Sequence, residues 1–182
     1  MIEKRRIVVD ADVLMMASDM SPAINCVNCV RFLRKILDIC HMIVAGGKIS
    51  QEYLDHNTVY SRIWLSDMAS QEKVKNYAFS TSLENMSNEI KSLDIFSPEE
   101  IPNIEKDLHL IQAALSTDGI VVSVDGKARR KFAIVSRSEF TLAAEIGDIV
   151  WINPTNEGEN LMQWLESGAP KDNARMLKNY PL

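Results

Sequence analysis

Four acidic side chains stand where a chain of this kind can do chemistry. Asp10 closes the apolar run Ile7-Val8-Val9, and Asp125 closes the run Ile120-Val121-Val122-Ser123-Val124. Glu52 falls in the first turn of a helical pattern beginning near Ser50, and Asp107 in the first turns of one running from Ile104 to Leu115. Singly, each acid reads as a helix cap, because helix amino termini favour carboxylates. Four carboxylates in one crevice are another matter, since they repel one another unless cations hold them. Hard divalent ions with oxygen ligands, Mg²⁺ or Mn²⁺, are the physical answer. Such a site activates water and clamps the charge that develops on a phosphodiester, so metal-dependent nuclease chemistry is the expectation.

The elements that must position these acids are legible as apolar patterns. Runs dominated by β-branched residues at 7–9 and 120–124 suit strands covered on both faces, as in a parallel sheet, with further strands at HMIVA and at IVWIN, residues 149–153. Cys26, Cys29, Val30, Leu33, Ile36, Leu37 and Cys40 recur at helical steps after a start signal at Ser21-Pro22. From Ser50 the pattern turns helical and stays so to about Leu93. A last helix is predicted from about Glu157 to Glu166, followed by a polar tail. Alternating strands and helices with acids at the strand ends describe an α/β fold: a three-layer sandwich with a central, mainly parallel sheet. The expected division is a domain over 1–153, with a helical insertion at about 58–100, and a C-terminal helix and tail over 154–182.

A chain of 182 residues, 46% hydrophobic and 25% charged, can bury a core without staples and has the composition of an ordinary globular domain. Its net charge of −5 excludes a whole-protein electrostatic grip on nucleic acid, so a polyanion must be met by a local patch or by metal ions. The start, MIEKRR, lacks the apolar stretch of a signal peptide, and three cysteines suit a reducing compartment; a cytoplasmic protein with no membrane span is expected. The local patch is Lys127, Arg129, Arg130 and Lys131, which follow Asp125 directly and so begin on the site side of the sheet, where phosphates of a bound strand can be held. Cys26-x-x-Cys29 and Cys40-His41 sit within a helical pattern and are read as core packing, not as a zinc site. His56 and His109 are read as structural. Leu161, Trp164 and Leu165 form an apolar face that either docks on the body or meets a second copy.

The stretches IVVDADVL, SQEYLDHN near 50, KDLHLIQAAL at 106–115 and IVVSVDGKARRKF at 120–132 resemble the PIN-domain ribonucleases in order and in strand or helix context. The resemblance spans residue 7 to about 153. It implies that Asp10, Glu52, Asp107 and Asp125 are both catalytic and metal-binding, and that the substrate is single-stranded RNA cut with Mg²⁺ or Mn²⁺. It also implies that Ser123, at a position where the family often carries a hydroxyl, orients a ligand. Many members are toxins of toxin–antitoxin pairs and many dimerise, so an antitoxin protein and a second copy of the chain are the implied partners. Asp12 stands where the family usually carries asparagine or serine, which marks it as a fifth ligand or as an acid behind the ligands. The helical stretch between Glu52 and Asp107 is longer than in compact toxins, and the tail is extra.

Two other readings start from the same residues. A strand ending D-x-D also opens the haloacid-dehalogenase-like phosphatases, which would make Asp10 the nucleophile and Asp12 the acid/base. That family needs a late acidic pair, where this chain offers only Asp148, and it leaves Glu52 and Asp107 without a role. The third reading is a non-catalytic PIN-like module that binds RNA or protein; its usual sign is the loss of an acid, and here all four are present.

Overall fold

The structure, a computed structural model, describes residues 4–18, 24–56, 58–156 and 160–182. Its elements in chain order are β1 (Arg6–Val9), α1 (Ala11–Ser18), α2 (Ile24–Asp38), β2 (Met42–Ala45), α3 (Gly47–Asp55), α4 (Val59–Ser70), β3 (Val74–Asn76), α5 (Leu83–Ser92), α6 (Ile101–Glu105), α7 (Leu108–Leu115), β4 (Ile120–Val122), α8 (Gly126–Val135), α9 (Ala143–Gly147), β5 (Val150–Ile152) and α10 (Leu161–Glu166). The strands form one all-parallel sheet in the order β3-β2-β1-β4-β5, flanked by helices, in keeping with the sandwich expected. Ile7, Val8, Val9, Ile120, Val121, Val122, Val150, Trp151 and Ile152 are wholly buried, as strands covered on both faces must be.

Strand order places the candidate site. From β1 the chain builds outward through β2 to β3, then returns past β1 to lay down β4 and β5 on the other side. The crevice beyond the carboxyl ends of β1 and β4 is thus the switch point of the sheet, where open parallel sheets hold their ligands. Val9 pairs with Val122, and the Asp10 N–H extends the ladder to the Val122 carbonyl at 2.9 Å. Asp10 and Ser123 therefore leave the sheet side by side.

The structure departs from the sequence reading in four places. Residues 74–76, expected within a helical stretch, are the edge strand β3, paired in register with Ile43, Val44 and Ala45. Only Val74 is half-buried while Lys75 and Asn76 are exposed, so this strand lacks the apolar run that marks the others. The helix expected over 104–115 is broken at Lys106-Asp107 into α6 and α7. Glu52 lies in the second turn of α3 rather than the first, because that helix begins at Gly47. The tail is not a separate polar appendage. Leu177 is wholly buried, its N–H donates to the Ile149 carbonyl at 3.0 Å, and Met176 bridges Val150, covering the β5 edge.

Leu161, Trp164 and Leu165 are buried, with the Trp164 indole N–H donating to the Pro170 carbonyl, so the α10 face docks on the body. Cys26 and Cys29 are buried on α2, and burial pushes the Cys29 thiol up to about 12. His41 is wholly buried: Nδ1 accepts the Arg5 N–H, and Nε2 faces the Leu165 carbonyl at 3.1 Å. The Ser21-Pro22 start signal and Glu157 lie outside the described residues. Among the described residues no helix is long and apolar enough to cross a membrane.

Candidate active site

Three of the four expected acids converge at the switch point. Asp10 is only 7% exposed; its Oδ1 accepts the Asp12 N–H at 3.2 Å, and its carboxylate also takes a hydrogen bond from Ser123. Burial, reinforced by the charge of Asp12, pushes the Asp10 carboxyl up to about 6 against the opposing pull of those hydrogen bonds. Asp125 caps α8: its Oδ1 accepts the N–H groups of Lys127 and Ala128 at 2.8 and 2.9 Å, and its own N–H donates to Ser123 Oγ. Ser123, wholly buried, thus links the two acids at the ends of β1 and β4.

Asp107 occupies the break between α6 and α7. It sits at the cap position of α7 but makes no side-chain cap, since its backbone is helical there. Its carboxylate lies within electrostatic reach of Asp10 and Asp125. Oδ2 is buried and accepts no hydrogen bond. Burial and the charges of Asp10 and Asp125 outweigh the attraction of Lys106 and push the Asp107 carboxyl up to about 7. A carboxylate this desolvated, with an unsatisfied oxygen, costs stability, and such costs concentrate at functional sites.

The charge that these acids share is the Lys106 ammonium, 3.7 Å from Asp107 Oδ2 and 3.6 Å from Asp125 Oδ2. Partial burial pulls the Lys106 pKa down, but Asp107, Asp125, Asp12 and Asp10 together outweigh it and hold the amine above its usual range. Beside the ammonium opens a cavity of about 270 Å³ lined by Asn103, Lys106, Asp107, Asp125, Lys127 and Lys131. A second hollow of about 320 Å³ is lined by Asp12, Met15, Met16 and Val124. Among the described residues, no three His, Cys, Asp or Glu side chains are drawn together closely enough to hold a metal ion between them.

Glu52 is engaged by other partners. Its Oε2 lies 2.8 Å from Nε2 of His109, which is 2% exposed on α7, and its Oε1 lies 3.7 Å from Lys48 Nζ. Desolvation works against its ionisation, but the hydrogen bond and charge of His109, with Lys48 and His56, hold the Glu52 carboxyl below the usual range. Nδ1 of His109 lies 2.8 Å from the Lys106 carbonyl, so one ring joins α3 to the α6–α7 break.

The basic run divides. Lys127 and Arg130 are exposed and Lys131 is half-buried on the cavity wall, but Arg129 is buried with its guanidinium 4.5 Å over the Tyr180 ring. Arg129 thus packs against the C-terminal tail and does not line the cavity beside Asp107 and Asp125.

Lys106 and Lys48 are the site residues that sequence reasoning passed over, and His109, read as structural, bridges Glu52 and the Lys106 carbonyl. His109 and its partner Glu52 lie 57 positions apart, so no local spacing marks the pair. Compared with protein-family models, with curated proteins and with solved structures, the chain matches none, so its geometry is what its function must be argued from.

Proposed function

We propose that this chain is a metal-dependent ribonuclease that hydrolyses phosphodiester bonds of single-stranded RNA. The observation that carries the reading is the convergence of Asp10, Asp107 and Asp125 at the sheet's switch point, with Asp107 Oδ2 buried and without a hydrogen bond. Hard carboxylate oxygens in a desolvated crevice suit Mg²⁺ or Mn²⁺, which bind through one or two carboxylates and keep several waters. A shared three-acid cage is therefore not required. Of Asp10, Asp107 and Asp125, one or two would hold the ion directly and the others through its waters, with Glu52 acting through water or joining once released from His109. A bound divalent ion supplies water activation and Lewis-acid stabilisation of phosphate charge.

The chain's own residues supply the rest. Ser123 orients Asp10 and Asp125 by hydrogen bonds to both, and Asp12 fixes Asp10 through its N–H while adding negative charge behind it. Lys127 and Lys131 line the cavity beside the acids, where they can neutralise the phosphates of a strand. The PIN-domain resemblance extends the proposal to a cytoplasmic toxin of a toxin–antitoxin pair, with an antitoxin protein and a second copy of the chain as partners.

The phosphatase alternative gains less from the geometry. It gives Asp107 no part, and Asp148, the late acid it would call on, precedes β5 and so lies at the amino ends of the parallel strands, opposite Asp10. The deciding experiment is hydrolysis of a labelled single-stranded RNA and, in parallel, of a small phosphomonoester, with Mn²⁺ or chelator, by the wild type and Asp107→Asn. Metal-dependent RNA cleavage that vanishes in Asp107→Asn supports the ribonuclease. Phosphate release that survives Asp107→Asn would hand the site to the phosphatase, and silence in both assays would favour the binding module.

A further inference from the structure

We infer that Lys106 is a catalytic residue of this site, its ammonium meeting the scissile phosphate in the cavity walled by Asn103, Lys127 and Lys131 and stabilising the charge gained there. The inference rests on the ribonuclease reading. Three observations lead to it. The Lys106 backbone is pinned: its carbonyl accepts hydrogen bonds from Lys48 Nζ and His109 Nδ1, and its N–H donates to the Pro102 carbonyl at 3.1 Å. Its side chain is 53% exposed while the carboxylates beneath it, Asp107 and Asp125, are 14% and 23% exposed, so the ammonium spans the cavity mouth above them. At 3.6 and 3.7 Å it offsets part of the charge of both acids without spending a hydrogen bond on either.

An anionic substrate approaching Asp10, Asp107 and Asp125 meets repulsion, and a cation drawn to the cavity mouth by those acids is what admits it. In the reaction, a water oxygen bonds to phosphorus, the bond from phosphorus to the leaving sugar oxygen breaks, and a proton from the water ends on that oxygen. Lys106 gains and loses no proton. Its contribution is an ammonium already aimed where the phosphoryl oxygens gain charge, and such preorganised donors are worth about 10²–10³ in rate.

The test compares the wild type with Lys106→Met, which keeps the stem, and Lys106→Arg, which keeps the charge. Single-turnover and steady-state cleavage of a single-stranded RNA at saturating Mn²⁺ separate kcat from KM. Fluorescence anisotropy of the same RNA in chelator reads binding without catalysis. Lys106→Met is expected to lose about 10²-fold or more in kcat and to bind the RNA several-fold more weakly in chelator, with partial recovery of both in Lys106→Arg. Wild-type kcat and RNA affinity in Lys106→Met would overturn the inference and leave Lys106 as a counter-ion for the acids. If the wild type itself does not cleave RNA, the ribonuclease reading fails. The anisotropy arm then decides alone: weaker binding by Lys106→Met supports the phosphate contact and unchanged binding overturns it.

Discussion

Nε2 of His109 lies 2.8 Å from Oε2 of Glu52, and Nδ1 of the same ring lies 2.8 Å from the carbonyl of Lys106. Through this one buried ring, α3 is tied to the break that presents Lys106 and Asp107 to the cavity. His109→Leu keeps the volume but leaves the largely covered Glu52 carboxylate without its partner. We expect a loss of about 2 kcal/mol in urea unfolding, with a smaller loss for Glu52→Gln. A His109→Leu midpoint equal to wild type would show that the ring does not hold the break.

Asp107 should be an acid the fold tolerates at a cost. Asp107→Asn removes a desolvated charge from beside Asp10 and Asp125, so in chelator its melting temperature should rise by several degrees, about 2–4 °C for each kcal/mol in a chain of this length. A fall in melting temperature in chelator would count against the repulsive cluster.

The pH dependence follows with a definite sign. Asp10 and Asp107 titrate near 6 and near 7 in the folded chain, against 3.8 for an ordinary aspartate. Between about pH 4 and 7 the folded state therefore binds more protons than the unfolded one, and this contribution to stability is lost as pH rises through that window. His41, lowered from 6.5 by burial, acts in the opposite sense, so the diagnostic quantity is the difference between wild type and Asp107→Asn. Thermal melts in chelator from pH 5 to 8 should show Asp107→Asn gaining on the wild type with rising pH; parallel curves would contradict the raised Asp107 pKa.

Divalent metal should reverse that balance. Mn²⁺ should raise the wild-type melting temperature more at pH 8 than at pH 6, because protonated carboxyls do not bind it, and should do little for Asp107→Asn. Titration calorimetry showing equal Mn²⁺ affinity in both proteins would remove Asp107 from the metal's ligands.

Arg129 and its neighbours should separate by assay. Arg129→Ala withdraws the guanidinium from Tyr180 and should cost about 1–2 kcal/mol through the loosened tail, with RNA affinity little changed. The double substitution Lys127→Ala with Lys131→Ala should do the reverse, weakening RNA binding and reducing its salt dependence while leaving the melting temperature in place. Anisotropy at several salt concentrations, set beside thermal melts, reads both.

The apolar periodicity of this chain was enough to place β1, β4 and β5, because a strand covered on both faces leaves an uninterrupted run such as Ile7–Val9 or Ile120–Val122. It was also enough to set Asp10 and Asp125 at strand ends and Ser123 beside them. It did not reach β3, whose Lys75 and Asn76 face solvent at the sheet edge, nor the break that exposes Lys106 between α6 and α7. Glu52 and His109 are 57 positions apart, and Arg129 and Tyr180 are 51 apart; in each pair neither residue marks the other by type or local spacing. Local pattern records which side of an element is apolar. Which charged groups meet across elements is decided when parallel register and helix packing bring distant turns together, and there desolvation selects the partners.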